Sequence, residues 1–94
     1  MTVTLQLPAA LAPYAGGQRE ITLAGAAGAT VAAVLEQLAG TLPVLERRIR
    51  DERAEIRRHV NVYVNGVDIR TLSGAESPVP DGAVIDVIAA VSGG

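Results

Sequence analysis

The chain has no cysteine, no lysine, no phenylalanine and no tryptophan, and each absence closes off a set of functions. Without Cys there are no disulfides, no thiolate metal ligands and no iron–sulfur ligation, a composition compatible with a reducing compartment. Without Lys there is no phosphate-loop lysine, no Schiff-base amine and no acceptor for an isopeptide bond. All eight basic residues are therefore Arg. Hydrolysis of ATP through a P-loop is excluded. The aromatics are Tyr14 and Tyr63 alone, so the core must be packed from Val, Leu, Ile and Ala. A net charge of −2 with only two aromatics argues against an electrostatic nucleic-acid binder, which needs a basic face and usually stacking aromatics, so no nucleic-acid partner is expected. His59 is the one histidine and has no second ligand type beside it except ordinary carboxylates, so no metal is expected. No run reaches transmembrane length. The apolar stretch "LQLPAALAPYA" is broken by Pro8 and Pro13 and no basic residue precedes Arg19, so it belongs to the mature domain. A cytoplasmic protein with no membrane partner is expected.

What remains is ample material for one modest core: 94 residues, 49% of them hydrophobic. "TVTLQLP" alternates, placing Val3, Leu5 and Leu7 on one face, and "REITL" repeats the pattern with Ile21 and Leu23 inward. Residues 2–24 therefore form a hairpin with a long turn-rich connection. In "GATVAAVLEQLAG" the period changes, with Val31, Val34, Leu35 and Leu38 on one helical stripe, Thr30 as N-cap and Gly40 as a left-handed stop. Between Glu46 and Arg58 six Arg face four acids, with Glu46/Arg50, Arg47/Asp51 and Arg48/Glu52 at i, i+4 spacing. Leu45, Ile49 and Ile56 give this stretch a thin apolar edge. It reads either as a solvated insertion with a short helix or as a docking surface for an acidic patch on a partner.

"HVNVYVNG" alternates without error. Val60, Val62 and Val64 point one way, Asn61, Tyr63 and Asn65 the other, and Asn65-Gly66 turns into "VDIRTL". "VPDGAVIDVIAA" supplies an Asp81-Gly82 turn and a last strand from Val84 to Ile88. The order is strand, strand, helix, charged insertion, strand, short strand, strand, tail. That is an α+β chain of the β-grasp, ubiquitin-like arrangement: a mixed sheet of four or five strands packed against one main helix, in which first and last strands commonly pair in parallel at the centre. The expected division is a β-grasp domain over residues 1–88 and a flexible Gly-Gly tail over 89–94.

The ending "IAAVSGG" has its own chemistry. Two glycines make the narrowest peptide available, able to enter a tunnel that excludes a Cβ. A free carboxylate is unreactive, but a partner holding ATP can convert it to an acyl adenylate. Sulfur displacing AMP then leaves a nucleophilic thiocarboxylate. The catalytic apparatus belongs to the partner, in keeping with the missing Cys, Lys and acid/base groups here.

"DGAVIDVIAAVSGG" resembles the C-terminal signature of the ubiquitin-like sulfur carriers of the MoaD/ThiS type, in which an Asp-Gly turn leads into the last strand and the chain ends V-[SA]-G-G. "HVNVYVNGVDIR" is similar to a second segment of that family. The "HVNVYVN" run and the length of the charged insertion look most like the branch that carries sulfur for cysteine formation. The resemblance implies a carrier protein, not an enzyme. Gly94 would be the residue adenylated and thiocarboxylated, Gly93 the second residue of the slender tail, and Val91 and Ser92 the neck gripped by the activating enzyme. It implies no bound cofactor, ATP being used by an E1-like adenylating partner. The further partners are a sulfur donor, a sulfur-accepting synthase and a protease or hydrolase that releases product. Many members place two prolines before V-x-G-G, where this chain has Ala89 and Ala90.

Asn61, Tyr63 and Asn65 are the candidate face for docking on an activating enzyme, although any half-exposed sheet shows the same polar alternation. Two rivals share the fold. One is a ubiquitin-like modifier joined through Gly94 to lysines of other proteins; the other is a β-grasp interaction domain whose terminal glycines are incidental.

Overall fold

Strand β1 (Thr2–Gln6) and strand β2 (Glu20–Ala24) form the expected hairpin, antiparallel with Val3 opposite Leu23 and Leu5 opposite Ile21. In the computed structural model, residues 2–25 and 29–89 are described. The long connection holds a short 3-10 turn over Ala12–Ala15, which Gly16 and Gly17 leave through positive φ. Helix α1 (Val31–Thr41) buries Val31, Val34, Leu35 and Leu38, the four residues of the apolar stripe. Thr30 caps it as expected, its hydroxyl accepting the Ala33 N–H at 3.1 Å.

Gly40 does not end α1. It lies inside the helix, which runs on to Thr41, and Leu42 makes the break at φ −133° and ψ 68°. The cause is the next residue: Pro43 disfavours the helical region for its predecessor and then opens a second helix at its own first position. Helix α2 (Pro43–Ile49) buries Leu45 and Ile49, while Arg47, Arg48, Glu52, Arg53, Glu55 and Arg58 are exposed, so the charged insertion is a short helix with one edge in the core and its charged side in solvent. The expected Glu46/Arg50 pair forms, with Arg50 Nε donating to Glu46 Oε2 at 2.5 Å. Arg47/Asp51 and Arg48/Glu52 form no ion pair among the described residues. Their spacing needed a helix that stops at Ile49, leaving Arg50 extended at φ −116°. Beyond it the chain folds tightly back: Arg50 bridges Ile56, and Asp51 Oδ1 accepts the Arg53 and Glu55 N–H groups.

Strand β3 (Val60–Val64) turns through Asn65 and Gly66, both at positive φ, into the short β4 (Val67–Asp68). Strand β5 (Val84–Ala89) runs antiparallel to β3 and parallel to β1, giving the sheet order β2-β1-β5-β3-β4. The first and last strands are thus central parallel neighbours. Their alternation meets α1 and α2 with one face. Leu5, Leu35, Leu38, Leu45, Ile49 and Ile85 are fully buried there, a core built without a large aromatic ring. This is the β-grasp fold, with α2 as a second helix beside the main one.

Candidate functional site

The site begins where β5 leaves the sheet. Ile85 and Val87 are buried on the helical side, while Val84, Asp86 and Ile88 alternate onto the open face. Strand pairing extends one residue beyond the expected end at Ile88, because Ala89 sits opposite Val60. The sheet therefore supplies, at Ala89, the stiffness that proline would give a tail root. Ala90 and the tail residues Val91, Ser92, Gly93 and Gly94 lie outside the described residues.

Around this root the open face of the sheet is assembled by register. Tyr63 faces Asp86 across β3 and β5, Asn61 faces Ile88, and Gln6 flanks Asp86 from β1. Asn61 and Tyr63 are therefore brought together as expected, half-buried on one face. Asn65 lies just beyond the end of β3. It sits in the turn, where its N–H donates to the Val84 carbonyl at 2.8 Å and its Oδ1 accepts the Val84 N–H at 2.9 Å, fastening the turn to the start of β5. Its φ of 50° turns the chain out of the strand.

Besides Gln6, Val84 and Asp86, two further residues at this face were not among the candidates. Ile88 is 46% exposed beside Asn61, an apolar side chain in a polar surface. Its signal was the same period-two alternation that placed Val87 inside. Arg70 reaches back from the loop after β4: its guanidinium donates to the Asn61 amide oxygen and to both Asp68 carboxylate oxygens. Hydrogen bonds from the Arg70 side chain and then its backbone hold the Asp68 carboxyl below the usual range. That contact joins residues nine apart through a turn and a 3-10 helix, so no local pattern announces it.

Among the described residues, no nucleophile is paired with a base on this face. His59 is exposed, and no group of three or more His, Asp or Glu able to hold a metal occurs among the described residues. A hollow of about 480 Å³ opens on the outer flank of β3, lined by Ile56, Val60, Val62, Ile69 and Arg70, without converging catalytic groups. No helix among the described residues is long and apolar enough to cross a membrane.

The model of the ThiS family matches residues 5–94. The chain belongs to the ThiS family. Sulfur carrier protein CysO of Mycobacterium tuberculosis (strain ATCC 25618 / H37Rv) is 33% identical over 96 residues, an alignment covering all of both chains. This ThiS-family fold is also that of SAMP1 from Haloferax volcanii, with a TM-score of 0.84 at 30% identity and full coverage of each chain. The Amycolatopsis orientalis BexX/CysO complex contains a chain that matches with a TM-score of 0.83 at 33% identity, covering 98% of this chain and 99% of that one. The family resemblance seen in the last strand and in "HVNVYVNGVDIR", including its likeness to the CysO branch, is thus borne out over the full length. The curated relatives it matches are named sulfur carrier proteins.

Proposed function

We propose that this ThiS-family protein is a sulfur carrier whose Gly94 carboxylate is activated by an E1-like partner. The carboxylate attacks ATP to give an acyl adenylate and pyrophosphate. Sulfide, or an equivalent sulfur donor, then displaces AMP and leaves a C-terminal thiocarboxylate. That sulfur would attack an electrophile held by an acceptor synthase, in the formation of cysteine or of another sulfur-containing metabolite, with a hydrolase freeing the product. The observation that carries this reading is the family match through residue 94, which includes Val91-Ser92-Gly93-Gly94, together with 33% identity to a named sulfur carrier. The strand-held Ala89 and the mixed polar and apolar face of Asn61, Tyr63 and Ile88 support it, as a rigid root and a surface on which an activating enzyme could seat the tail.

Intact mass after incubation with ATP, the cognate activating enzyme and sulfide tests the proposal. The expected change is one oxygen replaced by one sulfur. An unchanged mass, from an enzyme preparation that thiocarboxylates another carrier, would refute it. A second reading, conjugation through Gly94 to lysines of other proteins, is favoured by the likeness to Haloferax volcanii small archaeal modifier protein 1. Mass spectrometry of tryptic digests of tagged protein from cells would find residues 71–94, released after Arg70, joined through Gly94 to target lysines in that case, and no such branch for a carrier alone. Lacking Lys, the chain could not extend lysine-linked chains on itself.

A further inference from the structure

The fold gathers Arg47, Arg48 and Arg57 around Pro43 and Val44 in a shallow hollow of about 350 Å³ on the outer side of α2. None of the three guanidiniums forms an ion pair among the described residues, although the protein as a whole carries a net charge of −2. Asp51, which follows the helix, has its Oδ1 turned into its own loop by the Arg53 and Glu55 N–H groups. Val44 is 60% exposed at the middle of this cationic ring.

Two of the arginines are already fixed. Arg48 Cζ lies 4.6 Å from the centre of the Tyr14 ring, and Arg57 Nε donates to the Arg47 carbonyl at 2.9 Å. An arginine held in place before binding loses less freedom when it meets a carboxylate. We propose that the outer face of α2 docks a partner protein through a segment in which carboxylates flank an apolar side chain. The apolar residue would cover Val44 and Pro43 while the carboxylates meet Arg47, Arg48 and Arg57, an arrangement of apolar centre and arginine rim that protein interfaces favour. A nucleic acid fits less well. The net negative charge repels a polyanion, and Tyr14, which would have to stack a base, is covered by Arg48. The hollow lies on the helical side, away from Asn61, Tyr63 and Ile88, so this proposal stands or falls independently of the sulfur-carrier reading.

The test uses the full 15N-labelled chain and three probes: an acidic peptide with one leucine between paired glutamates, the same peptide with serine for leucine, and oligothymidylate. The leucine peptide is expected to shift the Val44 and Arg47 amide resonances saturably, to weaken severalfold with serine, and to weaken about tenfold in Arg47→Glu, with recovery in Arg47→Lys. The Arg47 side chain is exposed and its carbonyl contact to Arg57 is kept in every variant, so a matching thermal melt separates lost binding from lost folding. Equal binding of the leucine and serine peptides, tighter binding of oligothymidylate, or no effect of Arg47→Glu overturns the proposal.

Discussion

At the scale of single residues, Arg50 shows how a charge becomes part of a core. It is 4% exposed, and its guanidinium is shared between Glu46 on α2 and Glu36 on α1, at 2.5 and 2.8 Å. Burial alone would lower its pKa, but the two carboxylate hydrogen bonds outweigh that and raise it, so Arg50 stays charged at every working pH. Removing it strands the mostly buried Glu46 carboxylate, and Arg50→Ala should cost about 3 kcal/mol in urea unfolding. Glu36 is largely in water, so Glu36→Ala should cost less than about 1 kcal/mol. Similar losses for the two variants would mean that the pair is not held as a buried one. The i, i+4 spacing of Glu46 and Arg50 was legible in the sequence. Their burial was not, because it depends on Glu36 arriving from another helix. Asp68 gives the pH dependence: its pKa is lowered by Arg70, so it stabilises the fold above the unfolded-state value near ~3.9 and the benefit is lost as pH falls through the lower folded value. The stability difference between the wild type and Asp68→Asn should be present at neutral pH and vanish in acid. A difference that persists at low pH would sink this account.

At the scale of elements, the strands were legible because period two needs only a few residues to declare itself, and β3 was the clearest of them. The end of α1 was not, since a glycine near a helix terminus is equally compatible with a stop and with an ordinary exposed helical position. Proline at 43 decided between them. This yields a discriminating experiment at Gly40, which has helical φ and open space where a Cβ would go. Gly40→Ala should raise stability by about 0.5–1 kcal/mol, whereas a left-handed cap would have made the same change destabilising. Gly66, at φ +83° in the β3–β4 turn, should behave in the opposite way, with Gly66→Ala costing about 1 kcal/mol despite equally open space. Thermal melts of the two variants beside the wild type provide the comparison; the same sign of shift for both would refute it.

At the scale of the whole molecule, the parallel pairing of β1 and β5 joins the two ends of the described chain at the centre of the sheet. Every strand alternation then points one face at the helices and leaves the other open, and the chain that exits at Ala89 leaves from the best-supported strand. Among the described residues the buried cluster draws on β1, β2, both helices, β3 and β5, and Val87 is its last fully buried member. With this much of the core upstream of the tail, reactivity at Gly94 and stability of the fold are expected to be separable. Removing Gly93 and Gly94 should leave the melting temperature unchanged and abolish thiocarboxylation by the activating enzyme. Ile85→Ala should do the reverse, lowering stability by about 3 kcal/mol through a cavity beside Leu5 while the folded fraction remains a substrate. Measuring melting and intact mass on both variants puts the separation to the test. A truncated chain that melts lower would give the tail a structural role, and a truncated chain that still acquires sulfur would move the reactive carboxyl away from Gly94.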